Sequence, residues 1–117
     1  MQFSHTRHAP LHLKCVSCHA GAESSERATF PDAQKCQGCH AALEIRPPKP
    51  VYVLPDFVFF SHAKHAAAKV GCETCHGDVW RQDPTTPFLA MKMKACVDCH
   101  KTNKAAVACN LCHDLSP

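Results

Sequence analysis

Phe60-Ser61-His62-Ala63-Lys64-His65-Ala66-Ala67-Ala68-Lys69-Val70-Gly71-Cys72-Glu73-Thr74-Cys75-His76 is the most informative stretch of the chain. It sets a His-x-x-His pair ahead of a Cys-x-x-Cys-His unit, and the whole arrangement occurs twice. Phe3-Ser4-His5 and His8 stand at the same distance before Cys15-Val16-Ser17-Cys18-His19. The copies are offset by 57 residues, Phe3 against Phe60, and Ala9 matches Ala66. Repetition at fixed spacing means that one small supersecondary unit is used twice.

Working outward, the Cys-x-x-Cys-His unit accounts for every cysteine. The further copies are Cys36-Gln37-Gly38-Cys39-His40, Cys96-Val97-Asp98-Cys99-His100 and Cys109-Asn110-Leu111-Cys112-His113, so five copies consume all 10 cysteines. This is the attachment signature of c-type haem. Cysteines at i and i+3 share one face of a helical turn and can form thioethers with two vinyl groups, while the His at i+4 reaches the iron. The cofactor expected is therefore five haem c. Its attachment residues are Cys15, Cys18, Cys36, Cys39, Cys72, Cys75, Cys96, Cys99, Cys109 and Cys112, and its proximal ligands are His19, His40, His76, His100 and His113.

Two competing uses of cysteine fit less well. Zinc ribbons use Cys-x-x-Cys pairs but do not require a His after each. A disulfide framework leaves the 10 histidines unexplained.

Composition agrees with a cofactor-filled interior. Nine Pro, four Gly and thinly scattered aliphatic residues offer little for a side-chain core in 117 residues. With the porphyrins as the apolar interior, the expected fold is a compact multihaem cytochrome c fold, mostly irregular with short α-helices and little or no sheet. Helices are predicted over 63–69 and 89–101, and loops over 20–35 and 77–88, broken by Pro31, Pro84 and Pro87. The chain reads as one unit (1–117) of two halves. Residues 1–45 carry two haems, residues 57–117 carry three, and a stiff Pro-rich linker spans 46–56.

The sixth iron ligand decides function, because an iron held by two protein ligands passes electrons and one with an open position can activate a small molecule. Five histidines remain after the proximal set: His5, His8, His12, His62 and His65. Four lie in the duplicated His-x-x-His, where each pair can serve two neighbouring haems. His12 breaks the repeat, since Lys69 holds the matching place. It lies three residues ahead of Cys15, as Met93 lies three ahead of Cys96, so the fifth distal ligand is His12 or one of Met93 and Met91. A thioether ligand would raise that haem's potential; the plainer use of both Met is packing against a porphyrin face.

These units resemble the class III multihaem cytochromes c, in which Phe-x-His-x-x-His precedes a haem motif. The resemblance implies that His5 serves the haem of His19 and His62 that of His76, with His8 paired to His40 and His65 to His100. With two haem motifs in one half and three in the other, the chain is also similar to the pentahaem subunit of alternative complex III and related membrane quinol oxidoreductases. Val70-Gly71-Cys72 to His76-Gly77 and Met93 to His100 carry that likeness.

The expectation is a carrier relaying electrons through its haems, not an enzyme, with no catalytic residues. All five motifs end in His, and Tyr52 is the single Tyr available to line a pocket. Expected partners are redox proteins, donor and acceptor, docking through small interfaces. A membrane quinol-oxidising complex, or neighbouring cytochrome subunits in a polymeric wire, are the alternatives.

The formal charge of +3 omits about ten haem propionates and five ferric cores, which bring the oxidised holoprotein to about −2. Lys64, Lys69, Lys92, Lys94, Lys101 and Lys104 lack interleaved aromatics, so no nucleic-acid partner is expected. No stretch approaches the roughly 20 apolar residues of a membrane span; Val51–Phe60 is short and broken by Pro55. Haem attachment and so many thiols predict export to the periplasm or another extracytoplasmic space, with a signal peptide outside this numbering.

Overall fold

The structure, a computed structural model, describes residues 3–41, 50–82 and 85–113. Seven short α-helices follow one another among them: α1 (His5–His8), α2 (Cys15–Cys18), α3 (Ala33–Gln37), α4 (His62–Ala67), α5 (Cys72–His76), α6 (Met93–Thr102) and α7 (Cys109–Cys112). Single 3-10 turns lie at Ala9–Leu11 and Val79–Arg81. No strand forms among the described residues, and the one extended pairing is an isolated antiparallel bridge between Val58 and His113. The fold is thus mostly irregular and helical, as the composition predicts.

The repeat is explained by its serine. Ser4 and Ser61 both adopt an extended backbone and cap the following helix, each hydroxyl accepting the N–H three residues on, from Arg7 and Lys64 at 3.3 Å. An N-cap satisfies a donor that the first helical turn leaves unpaired. It fixes where the helix starts, and so puts His5 and His8, or His62 and His65, on one face.

The unit closes in the same way in both copies. His12 (φ 53) and Lys69 (φ 63), equivalent positions, both turn left-handed. His12 therefore occupies a turn position that the second copy fills with lysine.

Helix limits differ modestly from expectation. The helix anticipated from residue 89 starts at Met93, because the N–H of Leu89 is taken by the Cys75 carbonyl and its own carbonyl by Tyr52. The loop anticipated to residue 35 yields to α3 at Ala33, where the Asp32 carboxylate caps the N–H of Lys35 at 3.1 Å. Pro84 and the first four residues of the proposed linker, 46–49, lie outside the described residues.

No apolar side chain is buried among the described residues. The surface measures 9497 Å², where a close-packed monomer of this mass exposes about 6,300 Å². Its radius of gyration, 16.1 Å with extents of 49 × 30 × 23 Å, also exceeds the roughly 13 Å of a close-packed chain. Backbone turns and histidine contacts, not aliphatic packing, set the course of the chain.

Candidate functional site

All five cysteine motifs are single helical turns. The motif His accepts its place through a backbone bond to the first Cys, with His19 N–H to Cys15 O at 2.8 Å, His40 to Cys36 at 2.8 Å and His113 to Cys109 at 3.0 Å. In α5 and α6 the turn lies inside the helix. Each turn therefore presents Cys, Cys and His on one side, and no disulfide joins any of the ten cysteines.

Four motif histidines each face one histidine of the duplicated unit. Ring centroids are 6.5 Å apart for His5 and His19, 6.0 Å for His8 and His40, 6.4 Å for His62 and His76, and 6.2 Å for His65 and His100. A first-row metal stands about 2 Å from a ligating imidazole nitrogen, and the ring centre lies about 1 Å further, so a metal shared by two rings sets centroids about 6 Å apart. The donors come in twos: no group of three or more His, Cys, Asp or Glu converges on a metal position among the described residues. Zinc takes four protein ligands in a structural site and three in a catalytic one. Two axial imidazoles suit an iron whose other four ligands come from a porphyrin, so the residues present fit haem.

Hydrogen bonds orient the rings for that role. Nδ1 of His19 donates to the Thr29 carbonyl at 2.7 Å, that of His100 to Ala106 at 2.7 Å and that of His113 to Phe57 at 3.1 Å. His8 and His65 donate to Ser4 and Ser61 carbonyls, both at 2.8 Å, and His62 donates to Glu26 at 2.9 Å. A carbonyl can only accept, so in each ring Nδ1 carries the proton and the Nε2 lone pair is left for a metal.

Aromatic residues brace these rings, a role the sequence reading gave to none of them. Phe3 lies edge-on to His5 at 4.9 Å and stacks on His8 at 4.8 Å; Phe60 repeats this with His62 at 4.9 Å and His65 at 4.4 Å. Trp80 meets His5 edge-on at 5.7 Å, Phe30 meets His19, and Phe57 stacks on His113 at 5.9 Å. Tyr52 lies edge-on to His76 at 5.5 Å. Its hydroxyl accepts N–H groups from Phe88 and Leu89 at 3.0 and 3.1 Å and donates to the Leu89 carbonyl at 2.7 Å. Only the two repeated Phe carried a spacing signal; the others follow no motif.

The sites adjoin one another. Burial pushes the Cys15 thiol pKa up, and the neighbouring Cys72 thiol adds to it; burial likewise raises Cys75, beside Cys99 and Cys96, and Cys96, beside Cys112. Burial, with His62 and His19 nearby, holds His76 below the usual imidazole range. Phe3 joins the His8/His40 pair to the His5/His19 pair, and Phe60 joins His62/His76 to His65/His100. The Phe59 N–H bonds the Cys112 carbonyl at 2.7 Å and brings the fifth motif alongside.

The remaining candidates are placed less closely. His12 is exposed on its left-handed turn, Met91 is half-buried, and Met93 is 66% exposed at the head of α6. The ring partner of His113 is Phe57, not a second histidine.

Residues 58–114 match the family described as Cytochrome c7 and related cytochrome c. The likeness is to multihaem cytochromes c. A relative that spans both halves is the multiheme cytochrome c subunit of menaquinone reductase from Nitratidesulfovibrio vulgaris (strain Hildenborough). It is 27% identical over 158 aligned residues, which cover 97% of this chain and 75% of that protein. Both similarities support covalently bound c-type haem and electron transport. Among the described residues no helix is long and apolar enough to cross a membrane.

Proposed function

We propose that the chain is an electron carrier holding five c-type haems, each joined through one Cys-x-x-Cys pair. His19, His40, His76, His100 and His113 are the proximal ligands, and His5, His8, His62 and His65 are the distal ligands of the first four in the order of the ring pairs. His12, Met93 or Met91 completes the fifth. The four ring pairs at 6.0–6.5 Å carry this reading.

Bound haem supplies reversible one-electron chemistry at iron. The protein's residues would hold two imidazoles on each of the first four irons, and His113 with His12, Met93 or Met91 on the fifth, leaving no coordination site open to a substrate. Carbonyl acceptors at Nδ1 orient His8, His19, His62, His65, His100 and His113 for this. The chain therefore relays electrons between redox partners and is no enzyme by itself. By its likeness to a menaquinone reductase subunit, its partners are the other subunits of a quinone-linked complex. Attachment of so many haems favours a periplasmic or other extracytoplasmic location, with the two halves, 1–45 and 57–117, acting as one unit.

Intact-mass spectrometry of the holoprotein tests the count. Five haem additions and no alkylatable thiol are expected; fewer additions with alkylatable thiols remaining would overturn it.

A further inference from the structure

The duplicated unit makes a prediction about how its copies meet. If the halves were independent, each distal histidine would be oriented from within its own half. His8 and His65 are, by the carbonyls of their own capping serines. For His5 and His62, the other members of the two pairs, Nδ1 finds a partner in the opposite half. Nδ1 of His62 donates to the carbonyl of Glu26, in the loop behind the first haem motif. The same loop accepts the backbone N–H of His62 at Glu26 (3.0 Å) and that of Ala63 at Ser25 (2.9 Å). In return, Nδ1 of His5 meets the hydroxyl of Thr85 at 3.0 Å, and its ring meets Trp80, both from the loop behind the third motif.

We infer that the His5/His19 and His62/His76 pairs form a single junction at which electrons cross between the halves, and that Thr85 is a positioning residue of that junction, orienting His5 from the opposite half. The inference rests on the haem assignment proposed above. It reads the exchange of loops as reciprocal: the first half orients the second half's ligand, and the second half orients the first's. Neither site is complete without the other half. Adjacency of the Cys15 and Cys72 thiols agrees with it. An electron that crosses leaves one site as it enters the other, and no bond is made or broken.

The chemistry of Thr85 is specific. With Nε2 on the metal, Nδ1–H donates to the threonine hydroxyl oxygen; such a contact fixes ring orientation and raises ligand basicity. A more basic ligand favours the oxidised iron and lowers its potential. Removing the acceptor should move the potential of this haem upward and leave haems remote from the junction alone.

The test uses the full-length holoprotein with Thr85→Val and Thr85→Ser. Electron paramagnetic resonance of the oxidised protein and a potentiometric titration are read on each. Thr85→Val should shift one low-spin signal and raise its midpoint, with at most its junction neighbour following, and Thr85→Ser should restore both. Wild-type behaviour of Thr85→Val would overturn the inference, as would equal disturbance of all five signals or failure of Thr85→Ser to restore a shifted one. Should Thr85→Val not accumulate, Thr85→Ser against Thr85→Ala decides by the same criteria. A wild-type mass short of five haems strikes at the proposed function instead, so the two failures are distinct.

Discussion

The imidazoles of His62 and His76 lie 6.4 Å apart with their planes 10° from parallel. Of the four pairs this is the most nearly parallel, and the two rings come from helices separated by the left-handed turn at Lys69. His62→Ala removes one member without touching a haem attachment cysteine. The reduced variant should bind about one carbon monoxide per chain at the iron it uncovers, whereas binding unchanged from the parent would mean that His62 is no ligand. Optical titration with the gas reads the stoichiometry.

Tyr52 staples residues 88 and 89 onto α5, where its ring touches His76. Tyr52→Phe keeps the ring and removes the hydroxyl, leaving the Phe88 N–H and the Leu89 carbonyl short of a partner. A loss of about 1–3 kcal/mol is expected in holoprotein stability, read from the denaturant midpoint. The haem count should not change.

Gly77 ends α5 at φ +69, and a Cβ there would lie 2.8 Å from the Phe88 ring. Gly77→Ala is therefore strained twice, by its backbone and by Phe88, and should cost about 1–2 kcal/mol or more. Gly38, at φ −57 with 3.4 Å to its nearest obstacle, is the internal comparison. Gly38→Ala should leave thermal stability nearly unchanged or slightly raised.

The duplicated caps give a paired experiment. Ser61→Ala should cost about 1 kcal/mol, the usual worth of an N-cap. Ser4→Ala should cost more, because Ser4 is buried and its hydroxyl also bonds Thr6 at 3.0 Å. Thermal unfolding of the two variants side by side reads the difference.

What could be read in the sequence was whatever repeats. Five identical motifs announced their chemistry, and the two His-x-x-His units announced a common helix start whose serine cap the structure then supplies. The pairing of His8 with His40 and of His65 with His100 was implied by the class III resemblance and not by the repeat itself; in the structure the rings of each pair stand 6.0 and 6.2 Å apart. Nonrepeating residues were silent. Tyr52, Trp80, Phe30 and Phe57 act through contacts between segments far apart in the chain, and no local spacing encodes such contacts. The same holds for Thr85 and the Glu26 carbonyl: one is an ordinary threonine, the other a backbone atom. The start of α6 was misplaced because Leu89 is held by Tyr52, a tertiary contact that overrides its helical propensity. His12 drew notice as a histidine, yet its backbone serves the turn that Lys69 serves in the other half.

Near-infrared magnetic circular dichroism of the oxidised holoprotein reads axial ligand pairs directly and tests the central claim of paired histidines. At least four of five haems should carry the bis-histidine band, with the fifth either joining them, if His12 is its ligand, or showing the histidine–methionine band, if Met93 or Met91 is. Fewer than four bis-histidine haems, or a high-spin signal from the sites of His19, His40, His76 or His100, would contradict it.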